Sequence, residues 1–273
     1  MADNFEIRMD EYLPLRDVVF NTLRQAILKG ELKPGERIDD LQLDGLHILQ
    51  KKDGFRFGMD AVLLADFTRT RPRERVADLG TGTCILPLLL SHQQPDTQFE
   101  AIELQPDMAD MAGRSVELNG LSDRIHVHAM DLRQAPEAFG YEKFHAVVCN
   151  PPYGKQNGTL KSQTETVSLA RHEQDTSIGE IVKSAGALLR TMGRLTMVFP
   201  APRFLELCDE LRRCRLEPKR VRMVCAKLEK PPYLVLVESM KNARPGLHWM
   251  PPLVVYDPQG RETAEIERIY HKG

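Results

Sequence analysis

The chain has 273 residues, enough for one large core or two unequal ones, and its 42% hydrophobic and 28% charged content is that of a soluble globular protein. No apolar run approaches the roughly 20 residues a membrane span needs, and the acidic opening MADNFEIRMDEY lacks a signal core, so a cytoplasmic protein is expected. A net charge of −2 confines any nucleic-acid surface to a local patch, and the cysteines (Cys84, Cys149, Cys208, Cys214, Cys225) lack CxxC or histidine spacing, so neither metal nor disulfide is expected.

In chain order, Leu15, Val18, Val19, Leu23, Ile27 and Leu28 fall at helical spacing, Gly30 stops the helix, and Lys33-Pro34-Gly35 turns. A boundary near Glu36 divides the chain into an appended amphipathic helix, 1–35, and a main domain, 36–273. From there strands alternate with helices. Strands are expected at Val76–Leu79, Phe99–Glu103, Ile125–Ala129, Phe144–Cys149, Arg194–Pro200 and Tyr233–Met240. Helices are expected at Ile85–Leu90, Pro106–Asn119, Ile178–Thr191 and Phe204–Arg213. This rhythm predicts an α/β fold with a mostly parallel sheet covered on both faces. The polar stretch Gly154–Asp175 is long for a loop, as functional lids often are.

Asp78-Leu79-Gly80-Thr81-Gly82-Thr83-Cys84 runs from a strand into a glycine turn and a helix, where backbone can approach a ligand closely and helix N–H groups favour an anion. Glu103 ends the next strand, placed to accept both hydroxyls of a ribose. Ile85 occupies the third glycine position of a dinucleotide fingerprint, so a compact carboxylate fits the loop better than a pyrophosphate. Asp131, followed by Leu132 after the third strand, can read an adenine amino group; a helix N-cap is an equal reading.

The strand Phe144–Cys149 runs into Asn150-Pro151-Pro152-Tyr153. Methylating a planar amino nitrogen requires two acceptors for its N–H bonds and a flat face for its ring. The Asn150 side chain and the Pro151 carbonyl are the acceptors, the prolines fix them, and Tyr153 offers the face. Aligned acceptors stabilise positive charge as the nitrogen attacks a sulfonium methyl, so no strong base is needed.

These residues resemble a known family. Asn-Pro-Pro-Tyr is the amino-methyltransferase form of a (D/N)PP(Y/F/W) motif shared by enzymes acting on adenine, cytosine, guanine and glutamine nitrogen. Phe55-Arg56-Phe57-Gly58-Met59-Asp60 and Ala170-Arg171-His172-Glu173 are similar to blocks of the bacterial tRNA adenine-N6 methyltransferases that modify the adenine beside the anticodon of a valine tRNA. The likeness runs from Glu36-Arg37-Ile38-Asp39-Asp40-Leu41 to Pro251-Pro252-Leu253-Val254-Val255-Tyr256. It implies S-adenosylmethionine as cofactor, a tRNA substrate, and a Rossmann-like seven-stranded sheet with an antiparallel last strand at Tyr233–Met240. It further implies that Phe57, Gly58 and Asp60 help enclose the cofactor. The family usually has glycine where Cys84 stands, which implies a thiol crowding the loop.

Lys219, Arg220 and Arg222, with Arg212, Arg213 and Arg215 nearby, read as either a solvated basic face or a phosphate-tracking stripe. Lys155, Lys161 and Arg171 add cations beside the expected target pocket, while His172 is read as structural rather than as a general base. A protein glutamine-N5 methyltransferase acting on a release factor would use the same tetrad. Tyr12 to Arg37 resembles the start of a GntR-type winged helix, which suggests a transcriptional regulator with a degenerate cofactor domain. The chain passes into Ile38-Asp39-Asp40 before any recognition helix, so sequence-specific DNA binding is not expected.

Overall fold

Residues 32–33, 35–43, 45–52, 57–152 and 176–270 are described in the computed structural model. A hairpin comes first: β1 (Glu36–Asp40) pairs antiparallel with β2 (His47–Lys51). Helix α1 (Met59–Phe67) leads to β3 (Arg75–Leu79), α2 (Ile85–Gln93), β4 (Gln98–Glu103), α3 (Pro106–Leu118) and β5 (Ile125–Ala129). A short 3-10 turn at Leu132–Gln134 and α4 (Ala135–Phe139) precede β6 (Phe144–Cys149). The described chain then resumes with α5 (Ile178–Leu188), β7 (Leu189–Pro200), α6 (Phe204–Arg213), β8 (Leu216–Cys225) and β9 (Leu234–Lys241). Two short strands, β10 (His248–Trp249) and β11 (Leu253–Val254), and α7 (Ala264–Ile269) complete it.

The main sheet runs in the order β10-β8-β9-β7-β6-β3-β4-β5, with β11 also on the free edge of β8. Strands β5, β4, β3, β6 and β7 are parallel, and β9 is antiparallel to both β7 and β8. Seven long strands form the expected Rossmann-like sheet, with the antiparallel strand at Tyr233–Met240, and the two-residue β10 and β11 that follow it bring the sheet to nine strands. The order reverses between β3 and β6, so the crevice beyond their carboxyl ends is where such a sheet binds ligands.

Alternation within the strands sets the two layers. Val76, Ala146 and Val148 face one core with α1, α2, α3 and α7, whereas Ala77, Val147 and Cys149 face another with α5 and α6. Burial on both faces is why the strands read as nearly unbroken apolar runs. Helix α5 opens on a capping box between Ser177 and Glu180. It ends at Leu188 rather than Thr191, because Leu189 is already extended and pairs with Phe144. Sheet pairing here overrides helical spacing. Strand β8 was not foreseen, since Arg220 and Arg222 break its apolar pattern.

Leu32 is buried with Leu49 and Met111, and Lys33 pairs with Asp110 of α3 at 2.7 Å. The packed body therefore begins ahead of the boundary expected at Glu36. The amphipathic helix expected over Leu15–Leu28 lies outside the described residues.

Candidate active site

At the carboxyl end of β3 the N–H groups of Gly80 and Thr81 both donate to the Ile102 carbonyl at 2.9 Å, turning the chain away from the sheet. Gly80 and Gly82 have φ of +77° and +59°, and a Cβ on either would meet no atom within 4 Å. Glycine is thus required by backbone angle, and the loop borders open space. Glu103, buried at the end of β4, fixes the loop from the other side. Its Oε2 accepts from Gly82 N–H and its Oε1 from Gln105 N–H, each at 2.9 Å. Each oxygen keeps a second lone pair for a hydroxyl.

Asp78 lies behind the loop, fully buried, and neither carboxylate oxygen has a hydrogen-bond partner. The Thr81 hydroxyl is close but does not complete a bond. Burial raises the Asp78 pKa to about 7; Thr81 offsets part of this and the Glu103 carboxylate adds to it. Cys84 takes a left-handed φ of +74° as the cap of α2, yet its side chain is fully buried in the core. The thiol lies beneath the loop, within reach of Thr81 and Asp78. The cost of a non-glycine residue here is backbone strain of about 1–2 kcal/mol, and burial raises the thiol pKa well beyond its ordinary range.

Strand β6 delivers Asn150 to the same edge, followed by buried Pro151 and exposed Pro152. Asn150 Nδ2 donates to Asp60 Oδ2 at 3.3 Å, while Asp60 Oδ1 accepts from Ala61 N–H at 3.0 Å. A carboxylate only accepts, so it engages the NH2 end of the amide and turns the Asn150 carbonyl oxygen away from itself. Gly58 makes room for this: a Cβ there would lie 2.7 Å from Asp60 Oδ1. Phe57 N–H donates to Gln50 Oε1 at 3.2 Å, so β2 holds the segment entering α1. The structure thus brings Asp60 to Asn150, with Gly58 beside the same carboxylate, a contact that linear spacing could not reveal.

The N-cap reading of Asp131 is the one observed: it accepts from Arg133 N–H at 2.9 Å and pairs with the Arg133 guanidinium, which holds its carboxyl below the usual range. Leu132 is half-buried against the core beneath it. Tyr153, Lys155, Lys161, Arg171 and His172 lie outside the described residues.

Residues 57–214 match the methyltransferase small domain family. The chain belongs to that family. Among its curated relatives is a tRNA1(Val) (adenine(37)-N6)-methyltransferase of Tolumonas auensis, 31% identical over 64% of this chain and 75% of the relative. The protein of the same name from Porphyromonas gingivalis is 29% identical over 67% of this chain and 73% of its own length. Among solved structures, one titled as a predicted O-methyltransferase of Agrobacterium tumefaciens superposes with a TM-score of 0.64 at 22% identity, covering 78% of this chain and 96% of that one.

S-adenosylmethionine is the cofactor of this methyltransferase, and the residues fit it. The glycine loop borders open space, Glu103 retains acceptor capacity, and Asp78, buried with both oxygens unpartnered, has its ionised form favoured by a cationic ligand. Two members of the basic stripe, Arg220 and Arg222, are not available to a phosphate, whereas Arg212, Arg213 and Arg215 are exposed. Arg220 is buried, donating to the Phe67 carbonyl, pairing with Glu238 at 3.3 Å and stacking 4.0 Å over the Phe67 ring. Arg222 is buried against the Pro251 carbonyl and Glu265, and the Lys219 amino group donates to the Arg244 carbonyl. Sequence proximity placed these cations together; alternation along β8 turned Arg220 and Arg222 inward.

Proposed function

We propose that this methyltransferase transfers the methyl group of S-adenosylmethionine to the exocyclic N6 of an adenine in tRNA, beside the anticodon of a valine tRNA. The observation that carries the reading is Asn150, set at the end of β6 beside the glycine loop with its amide oriented by Asp60. The names of the relatives support tRNA adenine as the substrate. A cytoplasmic location goes with that substrate.

The cofactor supplies an electrophilic methyl on a sulfonium. Glu103 holds the ribose hydroxyls, and Asp78 balances positive charge behind the loop. The Asn150 carbonyl oxygen and the Pro151 backbone carbonyl accept the two N–H bonds of the target amine. They favour its pyramidal form and stabilise the charge that develops as nitrogen attacks. Pro152 stiffens the chain, and Tyr153 stacks on the base, which must leave its neighbours to reach the site. The proton departs after transfer, so no strongly basic side chain is required. Lys155, Lys161 and Arg171 are assigned to the RNA backbone near the target.

A glutamine side chain presents the same planar amide nitrogen, but the relatives do not favour it, and nothing in the described residues supports a regulator. Methyl transfer from labelled cofactor to total tRNA, followed by nucleoside mass spectrometry, tests the reading.

A further inference from the structure

Three tyrosines gather on the catalytic edge of the sheet, beyond the residues used so far. Tyr233 immediately precedes β9, whose Leu234 pairs with Pro200 at the end of β7 and Val224 near the end of β8. Tyr256 lies at the same level, its N–H donating to the Ala226 carbonyl at 2.9 Å. Their side chains are large yet 41% and 38% exposed. Tyr270, half-buried after α7, completes the group. All three lie within electrostatic reach of one another or of Asp60, the carboxylate that holds Asn150. Burial, with these neighbours, raises the hydroxyl pKa of Tyr233 and pushes that of Tyr270 up to about 12. Tyr233 and Tyr270 therefore stay neutral and do not repel an anionic strand.

The loop between β8 and β9 adds the complementary charge. Lys227 and Lys230 bracket a turn closed by Lys230 N–H to the Lys227 carbonyl at 3.0 Å, with Glu229 between them, and neither lysine pairs with a carboxylate among the described residues. This contrasts with Arg220 and Arg222, which internal partners consume. The glycine loop places the cofactor over β3 and β4, so a substrate reaching Asn150 lies toward β7, β9 and β8, where the tyrosines stand.

We infer that Tyr233 and Tyr256 form a stacking platform for single-stranded RNA bases flanking the target adenine, with Lys227 and Lys230 engaging the adjoining phosphates. The inference rests on the proposed RNA substrate. Aromatic faces accept any base, so the platform holds the loop open without reading its sequence. Phosphate contacts by the lysines add a salt-dependent component.

The test is binding of a fluorescent RNA hairpin with an adenine-containing loop to the full chain, read beside S-adenosylmethionine affinity and tRNA methylation. Tyr233→Ala and Tyr256→Ala should each weaken hairpin binding by about tenfold, within the range of one stacked base, while cofactor affinity stays unchanged. Tyr233→Phe and Tyr256→Phe should retain binding within about twofold, and the Lys227→Ala/Lys230→Ala pair should flatten its salt dependence. Alanine variants that bind the hairpin like the parent protein would overturn the platform, as would a parent protein that binds no hairpin. Phenylalanine variants that fail like the alanines would replace stacking with a hydroxyl contact and also overturn it. Tyrosine-dependent binding without tRNA methylation would leave the platform standing and reject only the adenine-methylation reading.

Discussion

Asp60 in the first turn of α1 accepts a hydrogen bond from the Asn150 amide at the end of β6, 3.3 Å away across 90 residues of sequence. The bond fixes which end of the amide can meet a substrate. Asp60→Ala should lower kcat by about 10–100-fold, the equivalent of losing a charge-assisted hydrogen bond of about 1.5–3 kcal/mol, with a smaller effect on substrate KM. Gly58→Ala, which crowds the Asp60 carboxylate, should shift kcat in the same direction. Steady-state kinetics at saturating cofactor checks both; an unchanged kcat in a folded Asp60→Ala protein rejects the orienting role.

Glu103 joins β4 to the glycine loop through Gly82 N–H. Glu103→Ala should weaken S-adenosylmethionine binding by about 1.5–3 kcal/mol, measured by calorimetry. Glu103→Gln, which keeps an acceptor for one N–H group, should fall between. Equal affinity for all three proteins would remove Glu103 from the cofactor site.

Asp78 gives a pH signature. Its folded pKa is raised to about 7, whereas an unfolded aspartate titrates at about 3.9. Between those values the folded state keeps a proton the unfolded chain has released, so stability falls as pH rises, by up to about 1.4 kcal/mol per unit. Above about pH 7 the decline levels off. Urea midpoints at pH 5 and pH 8 should therefore diverge for the parent protein and converge for Asp78→Asn. Cofactor affinity should rise over the same interval, because a cationic ligand favours the ionised carboxylate, and Asp78→Asn should flatten that rise.

Arg220 is predicted to act on stability rather than on RNA. Removing it leaves Glu238 buried without its partner, so Arg220→Ala should cost about 3–5 kcal/mol. The salt dependence of RNA binding should stay unchanged in whatever fraction folds at low temperature. A stable variant with a reduced salt slope would restore Arg220 to the RNA surface.

Much of the sheet was legible because its central parallel strands are apolar on both faces and alternate with helical segments. The glycine loop, Glu103 and the Asn150 tetrad were visible for the same reason: each ends a strand at the edge where ligands bind. What escaped the linear pattern depends on contacts distant in sequence. Nothing local says that Asp60 meets Asn150, or that Arg220 folds inward onto Phe67. The full burial of Cys84 was not legible either, because spacing gives its position but not its direction. Tyr233 was read as the start of a strand; only the antiparallel pairing of β9 brings it to the catalytic edge.

The central claim is that this fold methylates the exocyclic nitrogen of a tRNA adenine. The most direct measurement incubates the full chain with total tRNA and labelled S-adenosylmethionine, then digests the RNA and identifies the labelled product by mass spectrometry. Labelled N6-methyladenosine, lost with Asn150→Ala by about 10²–10³-fold in rate, is the predicted result. Unlabelled tRNA alongside labelled methylglutamine in a protein fraction would contradict it.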